Sequence, residues 1–318
     1  MNILKELENI GIIPVVCIND ADKSEKLAKA LIDGGLPAAE ITFRTDAAEE
    51  AIRRISAAFP EMAVGAGTVL TTTQADAAVK AGAKFIVSPG FNPKVVSWCI
   101  ENNVPILPGC TTPSEIEQAI EMGLDTVKFF PAEQSGGLAK IKALSAPYTN
   151  MRFMPTGGIN LKNMHEYLSF KKIIACGGSF MVKNDDIDSD NWGAITTAAH
   201  ETVKELLDFK LAHIGINSDN AINSAHRIAD IFGGDVTGED APGVFACGIF
   251  ELMKQASGGK CGHIAVSTPN VERAVYYLKK RGVHFDEASA KYDADGILHF
   301  IYLFDDFDGF KIHLIQAI

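Results

Sequence analysis

Eight short apolar runs, separated by amphipathic stretches at near-constant spacing, dominate residues 1–208. The runs fall at 11–18, 38–43, 62–67, 84–88, 105–107, 126–130, 151–156 and 173–177. Helical patterns lie between them at 23–32, 47–58, 74–81, 93–101, 114–122 and 138–144. Few folds accept strand and helix alternating eight times in so short a chain, and the spacing predicts a small (β/α)8 TIM barrel. An open doubly wound sheet is the rival; a GxGxxG turn after the first run would favour it, and none is present.

A different pattern takes over after Lys210. Strand-like runs lengthen, the turn pairs Asp295-Gly296 and Asp308-Gly309 appear, and six of the eight histidines fall here. The segment Ala212-His213-Ile214-Gly215-Ile216 is echoed by Gly262-His263-Ile264-Ala265-Val266. Each copy leads through an Asn into an amphipathic stretch (221–232 and 271–281), then closes on a strand at 250–253 and 312–315. Two βαβββ units in a smaller α+β domain are expected. The domains are therefore placed at 1–208 and 209–318.

Charge narrows the partners. The chain of 318 residues carries a formal net charge of −11. Residues through Lys210 hold 20 basic and 26 acidic groups, and the remainder 9 and 14. Neither half is a basic docking module, so nucleic acid and anionic membrane surfaces are excluded as main partners. Six dispersed cysteines without a CxxC pair read as buried reduced thiols. The opening Met-Asn-Ile-Leu-Lys-Glu is too polar for a secretion signal, and no apolar stretch approaches the roughly 18 residues of a membrane span. A cytoplasmic protein is expected.

Barrel strands turn alternate side chains inward, and chemistry sits at their C-terminal ends. The second run then brings Glu40, Thr42 and Arg44 to one face. Charge buried without a task is costly, so either a site or an internal Glu40–Arg44 ion pair is implied. The sixth run puts Lys128 inward beside Thr126 and Phe130. Loss of solvation there favours the neutral amine, which is the nucleophilic form. Glycine-rich turns follow the seventh and eighth runs, Pro155-Thr156-Gly157-Gly158-Ile159 and Cys176-Gly177-Gly178-Ser179. Their backbone amides, each expected to enter a helix, suit a phosphate or carboxylate.

With these segments, Glu40-Ile41-Thr42-Phe43-Arg44-Thr45, Val64-Gly65-Ala66-Gly67-Thr68-Val69, Ser88-Pro89-Gly90 and Val127-Lys128-Phe129-Phe130-Pro131-Ala132-Glu133, the first domain resembles one family along its whole length. That family is the 2-keto-3-deoxy-6-phosphogluconate / 4-hydroxy-2-oxoglutarate aldolases, class I lyases on a TIM barrel. The resemblance implies a Schiff base on Lys128, proton shuttling by Glu40 and no metal. It implies that Arg44 and Thr68 hold the pyruvyl carboxylate, that Pro89, Phe130 and Thr156 line the pocket, and that Gly157, Gly158, Gly178 and Ser179 bind phosphate. It also implies a homo-oligomer, commonly a trimer, a place in the Entner-Doudoroff pathway of carbohydrate metabolism, and small 2-keto acids as substrates. Phe180 departs from the Trp expected after the Gly-Gly-Ser turn, which bears on the phosphate end of the pocket.

The second domain resembles the glyoxalase / vicinal-oxygen-chelate superfamily, in which two such units form an open cup. The resemblance implies first strands side by side at the centre, closing strands facing them across the cavity, and metal ligands at His213, Glu251, His263 and His313. Three imidazoles and a carboxylate suit a divalent Zn, Ni, Fe or Mn ion; His313 stands where many members carry Glu. The domain is then an accessory to a carbon–carbon lyase, a second metal-dependent enzyme, or a non-catalytic ligand-binding or oligomerisation module.

Overall fold

The computed structural model describes residues 2–317. It divides into two compact units between Leu206 and Leu207. In the first, α1 (Ile3–Ile10) precedes β1 (Ile12–Val16), α2 (Ser24–Asp33), β2 (Ala38–Thr42), α3 (Ala48–Ala58), β3 (Ala63–Gly67) and α4 (Thr72–Lys80). Then come β4 (Ile86–Val87), α5 (Pro93–Glu101), β5 (Ile106–Leu107), α6 (Pro113–Glu121), β6 (Thr126–Phe129) and α7 (Gly137–Ser145). The series closes with β7 (Arg152–Pro155), α8 (Met164–Leu168), β8 (Cys176–Gly178), α9 (Asn184–Asp188) and α10 (Trp192–Leu207).

Local chemistry explains the helix starts. Asn92 caps α5 by accepting from the Lys94 amide, with Pro93 in the first turn where no amide partner is needed. Thr112 and Glu115 form a capping box at α6. The strands are parallel, in the order β5-β4-β3-β2-β1-β8, with β6-β7 a separate parallel pair. Single parallel bridges, Gly109–Lys128 and Thr156–Gly177, lie beside that pair. Every residue of β2 and β3 is buried, Glu40 and Thr42 included, as in parallel strands covered on both faces.

Three features depart from the sequence reading. The eighth strand is three residues long and starts at Cys176, not 173. Helices α1, α8, α9 and α10 lie outside the expected stretches, and α10 packs Ala199 so closely on Gly34 that a Cβ there would lie 2.5 Å away. Neither glycine-rich turn runs straight into a helix, because 159–163 and 179–183 intervene and α8 and α9 are five residues each. Of the cysteines, all free, Cys99, Cys110 and Cys176 are buried but Cys261 is exposed. Among the described residues no helix is long and apolar enough to cross a membrane.

The second unit runs β9 (Lys210–Asn217), α11 (Ala221–Phe232), β10 (Val236–Thr237), β11 (Gly243–Ala246), β12 (Phe250–Met253). The same order repeats in β13 (Gly262–Thr268), α12 (Val271–Lys280), β14 (Phe285–Tyr292), β15 (Leu298–Phe307), β16 (Phe310–Gln316). All eight strands form one mixed sheet, β10-β11-β12-β9-β13-β16-β15-β14. The first strands β9 and β13 pair antiparallel at its centre. The closing strands β12 and β16 lie beside them, each parallel to its neighbour, rather than across a cavity. Sequence patterning carries no information on which strand a closing strand will pair with. Alternation along β12 turns Leu252 into a core with Ala221, Ala225, Val244 and Ala246, leaving Glu251 on the opposite face. Asp308 and Gly309 both take positive φ, 52° and 88°, which is what a two-residue hairpin between β15 and β16 demands.

Candidate active site

Two chemistry-bearing clusters emerge, one per unit. In the first, Glu40 on β2 is 1% exposed and Lys128 on β6 is 5% exposed. The Lys128 Nζ stands 3.2 Å from Glu40 Oε1 and 5.4 Å from the centre of the Phe130 ring. The second carboxylate oxygen, Glu40 Oε2, and the Thr156 hydroxyl are buried with no hydrogen-bond partner. Buried polar atoms rarely stay unsatisfied, so the pair and Thr156 have donor and acceptor capacity left for a third party.

Glycines make this arrangement possible. A Cβ on Gly67 would lie 2.2 Å from Glu40 Oε1, and one on Gly177 would lie 2.4 Å from Thr156 Oγ1. Thr42 does not join the pair; its hydroxyl donates to the Val16 carbonyl at 2.9 Å. Arg44 corrects the sequence reading. The strand ends at Thr42, so Arg44 lies in the following turn, exposed, where its Nε donates to Thr68 Oγ1 at 3.3 Å. Thr68 itself takes a left-handed φ of 56° just after β3. Among the described residues Glu40 pairs with Lys128, not with Arg44.

Pro89 follows β4 and its carbonyl lies so near Gly109 that a Cβ there would come within 2.1 Å. Gly157 and Gly158 hold φ of 101° and 83°, and Thr156 bridges Gly177, which joins the two glycine-rich turns side by side. Gly178 is buried, while Ser179 and Gly158 are exposed. One contributor escaped the sequence reading. Tyr167 donates to Glu133 Oε1, and Glu133 packs under Gly158, where a Cβ would lie 2.4 Å from its Cγ. Burial, then that bond, pushes the Tyr167 phenol well above its ordinary range. Glu133 follows shortly after the strand carrying Lys128, in the same motif, but nothing in the sequence paired it with Tyr167.

The second cluster sits on one face of the C-terminal sheet. Register sets it: Glu251 and His263 flank Gly215, and His213 and His313 flank Ala265. His213 Nε2 and His263 Nε2 are 3.2 Å apart, and Glu251 Oε2 lies 3.0 Å from the latter and 3.3 Å from the former. Ligand atoms of the three histidines lie within 4.8 Å of one another. All four residues expected together are therefore together. Gly215 leaves the room: a Cβ on it would meet the His263 ring at 2.1 Å. Hydrogen bonds from His213 and then His263 hold the Glu251 carboxyl down at about 2. Burial, and then the neighbouring imidazoles, holds His313 down at about 3.

An α/β unit with a parallel sheet and a buried amine against a carboxylate has what a class I aldolase, a lyase that works through a lysine, requires. The comparisons agree. The family described as KDPG and KHG aldolase matches residues 3–198, and the chain belongs to that family. It is 47% identical over 204 residues to the 2-dehydro-3-deoxy-phosphogluconate aldolase of Treponema pallidum, covering 64% of this chain and 97% of that one. It is 38% identical over 193 residues to the KHG/KDPG aldolase of Escherichia coli K12, covering 61% and 91%. Among solved structures, KDPG aldolase from Legionella pneumophila, with pyruvate captured as a covalent carbinolamine, matches with TM-score 0.61 and 36% identity over 63% of this chain and 97% of its own. The 2-keto-3-deoxy-6-phosphogluconate aldolase of Zymomonas mobilis ZM4, with 3-phosphoglycerate, matches with TM-score 0.59, 36% identity and coverage of 63% and 94%.

Proposed function

We propose that residues 1–208 form a closed (β/α)8 aldolase domain that cleaves 2-keto-3-deoxy-6-phosphogluconate to pyruvate and glyceraldehyde 3-phosphate, and 4-hydroxy-2-oxoglutarate to pyruvate and glyoxylate. The single-residue bridges on either edge of the β6-β7 pair support closure. The observation that carries the chemistry is the buried Lys128–Glu40 contact of 3.2 Å, with Glu40 Oε2 left unpartnered. Names of relatives at 38–47% identity support the substrates.

The Lys128 amine attacks the C2 carbonyl, and loss of water from the carbinolamine gives an iminium. Glu40 takes the C4 hydroxyl proton as the C3–C4 bond breaks; its electron pair enters the iminium, leaving an enamine and a free aldehyde. Protonation at C3 and hydrolysis return pyruvate and the amine. Arg44 and Thr68 hold the carboxylate, Pro89, Phe130 and Thr156 wall the pocket, and Gly157, Gly158, Gly178 and Ser179 receive the phosphate. Trimer assembly follows from the family resemblance alone. Borohydride added with pyruvate should attach the reduced ketoacid to the Lys128 peptide. A Lys128→Ala chain that still traps pyruvate sinks the mechanism.

A second reading concerns residues 209–318, as a glyoxalase / vicinal-oxygen-chelate-like domain with its own divalent ion. Its support is the convergence of His213, Glu251 and His263 at 3.0–3.3 Å. That is close to the edge of a tetrahedron whose centre lies roughly 2.0–2.2 Å from each donor. Those three residues would hold the ion with His313, whose Nδ1 is buried without a partner. Bound there, a divalent ion supplies Lewis acidity toward substrate oxygens. Stoichiometric Zn, Ni or Mn in the purified chain, lost on His263→Ala, is expected. A wild-type chain that binds none of these metals leaves a ligand-binding module without metal chemistry.

A further inference from the structure

The His213–Glu251–His263–His313 cluster opens into a cavity of about 570 Å³. Small-ligand sites commonly span roughly 300–1,000 Å³, so a small acid fits with room to spare. Charge in the lining is sparse. Among the described residues, the only acidic one lining it is Glu251 and the only lysine is Lys291; the rest are histidines, hydroxyls and apolar groups. Lys291, exposed on β14, forms no ion pair among the described residues. Its ammonium instead lies 4.6 Å from the centre of the Phe300 ring, and that ring centre is 4.4 Å from His313. The cation is therefore within about 9 Å of the His313 ring, the sum of those two separations. His299, on the same wall, has a buried Nδ1 with no partner.

A divalent ion on Glu251 leaves one uncompensated positive charge, and Lys291 adds another. A monoanion would leave the cavity charged, whereas a dianion neutralises it. We infer that this cavity binds a short acid with two anionic groups, one on the cluster's ion and the second, carboxylate or phosphate, on Lys291. The inference rests on the metal reading of the cluster given above. Lys291 acts as a specificity residue: it selects acids with a distal charge, and a short carbon chain spans the distance to it.

Cobalt(II) gives the test, because its visible bands report on ligands at the metal and are blind to imine formation on Lys128. The full chain is loaded with Co(II) and titrated with 2-oxoglutarate, with 3-phosphoglycerate and with 2-oxobutyrate, which lacks the distal charge. At least one of the two acids with a distal anionic group should perturb the bands at concentrations about tenfold below 2-oxobutyrate, and which of them does so tells carboxylate from phosphate. Lys291→Met should bring that probe and 2-oxobutyrate to parity while the cobalt bands of the ligand-free protein stay unchanged. Equal affinities in the wild-type chain, or a preference that survives Lys291→Met, overturn the inference and leave the metal reading standing. A chain that takes up no cobalt overturns both.

Discussion

At the scale of single residues, the sequence speaks where a side chain is chemically out of place. Glu40 and Lys128 interrupt apolar runs, and both prove buried and paired. Alternation puts Arg44 on the inward face of the second strand, but it lies in the turn beyond it, because the strand ends two residues earlier. The second oxygen of Glu40 has no partner, which suits the proton transfer proposed for it. Glu40→Gln should therefore still trap pyruvate with borohydride but lose about 100-fold or more in kcat, the scale of a removed acid–base group. Loss of trapping would mean that Glu40 serves only to hold Lys128. For Arg44, a planar guanidinium grips a carboxylate through two parallel bonds that an ammonium cannot reproduce. Arg44→Lys should raise KM for pyruvate in the condensation direction by about tenfold, the equivalent of one charge-assisted bond. An unchanged KM would reduce the residue to its bond with Thr68.

Elements were legible where hydrophobic period and length agree. The helix over Pro93–Glu101 and the closing strand Phe250–Met253 end where patterning puts them. The glycines of β3 show what patterning cannot supply. In sequence, Gly65 and Gly67 weaken a strand; in space they admit Phe85 and the Glu40 carboxylate. That role depends on a neighbouring strand, so no local pattern records it. Gly67→Ala places a Cβ 2.2 Å from Glu40 Oε1 and 2.7 Å from its Cγ. The carboxylate must move, and a shift on the order of 1 Å can cost about 100-fold in rate. Turnover should fall between about 10- and 100-fold, against a stability loss of about 1–3 kcal/mol typical of overpacking. A variant with normal turnover and normal borohydride trapping would show that the Glu40 position tolerates displacement.

For the whole molecule, the change of pattern after Lys210 announced two units, and the repeat announced the βαβββ order of the second. What stayed hidden was pairing: β12 and β16 flank the central strands instead of facing them, since sheet neighbours are fixed by contacts far apart in the chain. Each unit closes a core of its own, the second around Ala225, Val244 and Leu252, so each should carry its own unfolding transition. The chain's two tryptophans, Trp98 and Trp192, both lie in the first unit, which gives that unit's transition a reporter the second unit lacks. Zn at about 100 times its Kd adds about 2.7 kcal/mol to whatever unit binds it. In a unit of this size that raises Tm on the order of 10 °C. Calorimetry should show one transition moving by that amount, while the tryptophan-reported transition stays in place. Pyruvate with borohydride should do the reverse, moving the tryptophan signal and sparing the other. A tryptophan signal that follows zinc would mean the units unfold as one, and no zinc-dependent shift in either signal would remove the ion from residues 209–318.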